Sequence, residues 1–122
     1  MRILVCGGRS YPHRHIVFDC LDAIARRYGV ERIIHGCASG ADKLSSEWAA
    51  ARGVAEDRYP ADWSVGRRAG PDRNSRMLLE GAPDGVVAFP GGRGTDDMIR
   101  QARSQGITVW MPRIAWDNTV HQ

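Results

Sequence analysis

The strongest constraint on this chain is an alternation: short apolar runs recur along it, each separated from the next by a segment of helical periodicity. "RILVCG" (2–7) reads as a buried strand, and "HRHIVFDCLDAIARRYG" (13–29) as a helix closed by Gly29. "ERIIHG" (31–36) is a second strand. "GADKLSSEWAAARG" (40–53) is a second helix, with Ser39 and Asp42 at capping-box spacing and Gly53 at its end. A weaker strand, "AEDRYP" (55–60), precedes the helical "AGPDRNSRMLLEG" (69–81), where Pro71 is tolerated in a first turn. "DGVVAFP" (84–90) is the fourth strand, "TDDMIRQARSQG" (95–106) the fourth helix, and "ITVWMP" (107–112) the fifth strand. The remainder, from Arg113, reads as a short tail, polar apart from Ile114, Trp116 and Val120.

Strands that are apolar throughout need cover on both faces, and strand–helix alternation makes them parallel. The expected fold class is therefore α/β, a doubly wound parallel sheet of about five strands with helices on both faces. One domain over residues 1–112 accounts for it, with 113–122 as the tail. Apolar residues are 43% of the 122, enough for a single core. No apolar run approaches the roughly 20 residues that cross a bilayer. "MRILVCGG" is too short an apolar opening for a signal peptide. Cys6, Cys20 and Cys37 form no CxxC pair and read as reduced thiols. A cytoplasmic protein with no membrane partner is expected.

In such a sheet every strand-to-helix loop emerges at the same edge, and ligands bind there, where the strand order reverses. The loop after strand one, "CGGRSY", carries Gly7, Gly8 and Arg9. The next, "HGCASGAD", carries Gly36, Gly40, Ala41 and Asp42. Strand three leads into "PADW" and "AGPDRN", with Asp62, Trp63, Arg73 and Asn74, and strand four into "PGGRGTDD". Glycine-bearing loops that open onto helix N-termini expose N–H groups and a dipole that favours an anion. The reading is a cleft for a nucleotide or nucleotide-derived small molecule. Gly7, Gly8, Gly91, Gly92, Gly94 and Thr95 bring main-chain donors to phosphate, with Pro90 at the head of the last loop. Gly40, Ala41 and Asp42 shape a second wall, Arg73 pairs with phosphate or ribose, Asn74 hydrogen-bonds, and Trp63 covers the base. Trp63 has an alternative as a packing residue, and Asp62 accepts from the ligand or caps a turn.

The net charge is +3, but Lys43 is the only lysine and sixteen positions are arginine, whose planar fork suits phosphate. Arg26, Arg27, Arg52, Arg100 and Arg103 fall in helical patterns and read as solvated, whereas Arg9, Arg73 and Arg93 sit beside glycine loops. GxGxxG fails, because Gly92 and Gly94 are followed by Asp97 where a third glycine belongs. The P-loop fails too, since Lys43 stands between aspartate and leucine. His13 and His15, two apart, cannot share a helical face, so no metal site is read and no cofactor is implied. Trp48 and Trp110 fall on core-facing patterns, while Trp116 either packs within the chain or marks a subunit contact.

The series "GGRSY", "GCASGAD", "PADW…AGPDRNSRM" and "AFPGGRGTDDMI" resembles the small YspA-like, YpsA-related proteins of the SLOG superfamily, named for its SMF/DprA and LOG members. The resemblance runs from Arg2 to about Pro112 with the four motifs in order. It implies a Rossmann-like sheet, a nucleotide-derived ligand, a homo-oligomer, and a phage or bacterial setting. LOG-type relatives are phosphoribohydrolases that split the N-glycosidic bond of a nucleoside monophosphate, with a PGGxGTxxE hallmark after an RKxxM-like helix. This chain keeps Pro90, Gly91, Gly92, Gly94, Thr95, Arg73 and Met77, but has Met98 at the glutamate position and Asn74 at the lysine position. A thioether cannot steady an oxocarbenium ion or activate water. Hydrolysis on this resemblance would rest on Arg73 and on Asp97, about 100° around the helix from Met98. As first-turn acids, Asp96 and Asp97 have a plain alternative beside the helix dipole. The DNA-processing protein A branch offers another relative: "GCASGAD" and "DRN" resemble its loop and its arginine–asparagine step. That implies single-stranded DNA along a groove of Arg9, Arg67, Arg68, Arg73, Arg76 and Arg93, which a pI near 9.1 fits.

Overall fold

The computed structural model describes residues 1–120. Five parallel strands form one sheet: β1 (Arg2–Cys6), β2 (Arg32–His35), β3 (Ala55–Arg58), β4 (Gly85–Ala88) and β5 (Thr108–Trp110), in the order β3-β2-β1-β4-β5. Helices α1 (Arg14–Tyr28), α2 (Ala41–Arg52), α3 (Ala69–Gly81) and α4 (Arg93–Ser104) connect them, with a short 3-10 turn at Trp63–Val65 before α3. This is the Rossmann-like α/β arrangement that the alternation predicts.

Side chains alternate across a strand, so consecutive residues of β1 serve two different cores. Ile3 and Val5 pack with Ile33, Val87 and Phe89 against Val17 and Leu21 of α1 and Trp48 of α2. Leu4 and Cys6 pack with Ile34, Val86 and Ala88 against Met77 and Leu78 of α3 and Met98 and Ile99 of α4. β1 and β4 lie between these layers with almost no exposure, which explains runs such as "ILVC" and "VVAF" without any polar alternation. β3 is the exception. Its "AEDR" lies at the sheet edge and is half-exposed, and charge there blunts pairing with other chains.

Helix ends follow the glycines. Gly29 closes α1, and Gly53, at φ +67°, closes α2 by donating to the carbonyls of Ala49 and Ala50. The stretch from Arg113, read from sequence as a polar tail, is instead a helix, α5 (Arg113–Val120). Its last two positions, 121–122, lie outside the described residues. Pro112 starts it, its carbonyl accepting from the amides of Ala115 and Trp116. The polar look of this segment hides a docked face: Ala115 is buried in the α1–α2 core, and Trp116 Nε1 donates to the Ala88 carbonyl at 2.8 Å. That carbonyl lies one residue past the last β4–β5 partner, so α5 satisfies what the sheet leaves open. Trp116 therefore packs within the chain. Trp116→Phe removes the indole N–H and part of the ring packed against both cores, strands a buried acceptor, and is expected to cost at least about 1–3 kcal/mol in urea unfolding.

Candidate functional site

Three loops meet above the C-terminal ends of β1 and β4, where the strand order reverses. The peptide groups flanking Gly8 join them. Gly8 N–H donates to the Pro90 carbonyl at 2.8 Å, and the Gly8 carbonyl accepts from the amides of Tyr11 at 3.1 Å and Ala41 at 3.2 Å. Glycine makes the approach possible. A Cβ on Gly40 would strike the Gly8 carbonyl and the Arg9 backbone, and Gly40 also sits at φ +70°, which side chains rarely adopt. A Cβ on Gly91 would strike Thr95 Oγ1 and the Gly7–Gly8 backbone, and one on Gly7 would strike Ala41 and Phe89. By contrast, a Cβ on Gly92 or Gly94 would meet nothing, so these two leave open space beside the start of α4.

The β2–α2 turn is held more tightly still. Cys37 has φ +63°, an uncommon left-handed backbone for a residue other than glycine. Asp42 Oδ2 accepts from the amides on either side, Gly36 at 3.1 Å and Ala38 at 3.2 Å, while Cys37 N–H donates to His35 Nδ1 at 3.0 Å. His35 Nε2 lies 2.9 Å from Glu56 Oε1, which also accepts from the Ser46 hydroxyl and Arg58 Nε. The capping box expected from Ser39 and Asp42 is not formed. The turn draws the Asp42 carboxylate to its own amides, the Ser39 hydroxyl donates to the Arg9 carbonyl at 2.9 Å, and Gly40 is the N-cap without a side-chain bond. Burial pushes the Asp42 carboxyl above the usual range, against the pull of the Ala38 amide, His35, Arg73 and the Gly36 amide.

These loops and the start of α3 enclose a cavity of about 470 Å³, within the range of small-molecule sites. Gly7, Gly8 and Arg9 line it from the first loop and Asp42 from the second. Trp63, Arg73 and Asn74 form another wall, and Gly92, Gly94, Thr95 and Asp97 close it from α4. Ala38, Arg67, Gly70 and Pro71 line it as well. Arg67 entered the sequence reading only as a groove residue, and the other three carry no side-chain chemistry that would single them out.

The other expected site residues lie elsewhere, each for a local reason. Gly36 leaves room for the protein's own Arg73, whose guanidinium lies across it and donates to its carbonyl. Gly40 and Ala41 are consumed by the loop–loop contacts, and Ala41 is fully buried. Asp62 takes the turn-capping alternative, accepting from the Ser64 amide at 3.1 Å. Pro90 and Gly91 face Gly8 and an outer hollow instead of the cavity.

Charge distribution sets the cavity apart. Among the described residues, nine arginines pair with carboxylates. These include two exposed i,i+4 pairs, Arg68 with Asp72 and Arg76 with Glu80. Arg9, Arg67, Arg73 and Arg93 have no carboxylate pairing among the described residues, and all four line the cavity. Arg9 stacks over the exposed Trp63 ring at 4.8 Å, and Trp63 in turn lies over Gly70. The start of α4 adds main-chain donors, since its N-cap, Gly92, has no side-chain cap.

Asn74 spans the floor. Its amide donates to the Gly94 carbonyl at 3.1 Å and to Asp97 Oδ2 at 3.0 Å, while its oxygen accepts from Arg73 Nε at 3.2 Å. Asp97 is further held by Gln101 at 2.7 Å and by Arg100. Met98 is fully buried between α4 and the sheet. Among the described residues no cluster of three or more His, Cys, Asp or Glu is placed to hold a metal ion.

Glu56 supplies a pH test of the support beneath the β2–α2 turn. Burial raises its carboxyl, but hydrogen bonds from His35, Arg58 and Ser46 outweigh that and hold it at about 2. A depressed folded-state value means stability present above the unfolded value near 4.5 and lost as pH falls towards 2. Glu56→Gln should therefore cost stability at pH 6 and lose less than the parent between pH 4.5 and 2.5, read by urea unfolding at each pH.

Residues 1–66 match the family described as YAcAr: YspA, cpYpsA-related SLOG family. A relative, the Gene 61 protein of Mycobacterium phage D29, is 38% identical over 118 residues, covering 88% of this chain and 93% of that protein.

Proposed function

The chain belongs to the YspA, cpYpsA-related SLOG family, and from that premise we propose that it binds a nucleotide or nucleotide-derived small molecule in the cavity between β1 and β4. One observation carries the reading: four guanidinium groups without carboxylate partners converge, with an uncapped helix start, on one cavity at the strand-order reversal. A phosphoryl group is the ligand chemistry that such donors recognise. Gly92 and Gly94 leave the space for it beside the α4 amides, and Arg67 and Arg93 line the same cavity. The Trp63 face offers a surface for a base. The wall is mixed in polarity, with Val5, Cys6 and Met77 beside the charged groups, as a base and ribose require.

Binding without turnover fits the acid geometry better than hydrolysis does. The side chain at the hydrolase glutamate position, Met98, is in the core, and Asp97 has both oxygens engaged by Asn74, Gln101 and Arg100. Protein donors thus occupy the positions from which Asp97 would have to engage a water. A cavity of about 470 Å³, whose lining does not include Arg68 or Arg76, favours a compact ligand over a DNA strand.

The test is a melting-temperature panel of nucleoside phosphates followed by calorimetry. A bound nucleotide should raise the melting temperature, and Arg93→Ala should weaken it by about 10- to 100-fold, the worth of a hydrogen bond to a charged group. No free base should accumulate on prolonged incubation. Base release that Asp97→Asn abolishes would replace this reading with the hydrolytic one.

A further inference from the structure

Beside the main cavity lies a smaller hollow of about 280 Å³, walled by Pro60 and Ala61 after β3 and by the Gly36–Ser39 turn. Arg9, Ala38, Trp63 and Arg73 line both spaces. The two therefore adjoin along these shared residues, among them the stacked Arg9 and Trp63, and Trp63 is 55% exposed.

The four arginines of the main cavity that lack carboxylate pairing divide between these spaces. Arg67 and Arg93 line the main cavity and not the smaller hollow, and Arg93 is the first residue of α4. Arg9 and Arg73 stand at the junction. Arg73 is held there by the carbonyls of Gly36 and Tyr59 and by Asn74, with no carboxylate hydrogen-bonded to it. Burial lowers Arg73, Asp42 draws it back up, and the Arg9 charge lowers it again.

We propose that the two chambers form one site, built for a nucleotide with two phosphoryl groups: one lies at the α4 start with Arg67 and Arg93, and the other at the junction with Arg9 and Arg73. Whatever the second phosphoryl group bears occupies the smaller chamber. This rests on the nucleotide reading above and narrows it to nucleoside diphosphates and their diphosphate-linked derivatives. A nucleoside monophosphate fills only half of the site.

Ala61 separates the two ideas, because it lines the smaller chamber and not the main cavity. Calorimetry would compare monophosphate, diphosphate and diphosphate-sugar forms of adenosine, guanosine and uridine on the parent, Ala61→Phe and Arg9→Ala, each first shown to melt as a folded protein. For the base that binds, the diphosphate forms should bind at least tenfold more tightly than the monophosphate. Ala61→Phe should weaken the diphosphate sugar at least tenfold and leave the monophosphate unchanged, and Arg9→Ala should erase the gap between mono- and diphosphate. A monophosphate that binds as tightly as its diphosphate, or an Ala61→Phe effect that is absent or equal for all forms, overturns the two-phosphate site and leaves the nucleotide reading standing. If no nucleotide binds the parent, both fall.

Discussion

The site depends on the backbone around Gly8. One amide and one carbonyl tie three loops, those after β1, β2 and β4, to one another. Each of those loops ends a different strand, so the hydrogen bonds convert the relative position of strands into the relative position of helix starts. Side chains could not do this at such short range, because the chains must pass at backbone distance. The glycines at 7, 40 and 91 are the condition for that passage, and the cavity is the space left on the other side of it.

Around this knot the protein arranges buried polar groups in pairs that brace one another. Asp42 bridges the two amides beside the left-handed Cys37, and His35 holds the amide of Cys37 itself. Asn74 connects α3 to α4, and Asp97 receives that connection. Each bond satisfies a buried group that would otherwise be costly, and each also fixes a wall of the cavity. Support and recognition are thus shared by the same few residues. Arg73 shows it most clearly, since its guanidinium is both strapped to the Gly36 carbonyl and exposed to the two chambers.

The fold was legible because its signal is periodic and redundant. β1 and β4 are apolar throughout since both of their faces are covered, and Gly29 and Gly53 end helices by a conformation that few other residues share. What the sequence concealed is directional. It marks Gly36, Gly40 and Gly91 as sites of close approach but does not say what approaches, and in all three the visitor is the protein itself. Ser39 and Asp42 have the spacing of a capping box, yet the strained turn next to them offers Asp42 two amides. α5 escaped notice because its face depends on one carbonyl of a distant strand and one gap in the α1–α2 core, neither of which has a local signature. Arg68 and Arg73 look alike in the chain. Only the fold separates an arginine facing Asp72 from one laid across Gly36.

The pairing of so many outer arginines has a kinetic corollary. Where each cation has an anion a few ångströms away, their fields cancel beyond about one Debye length, near 8–10 Å in physiological salt. The four unpaired guanidinium groups gathered around one cavity then add their fields there, focused by the low-dielectric walls around them. A small anion drifting past meets an attractive gradient that ends in the cavity, so the molecule's modest overall charge understates how quickly the pocket can fill.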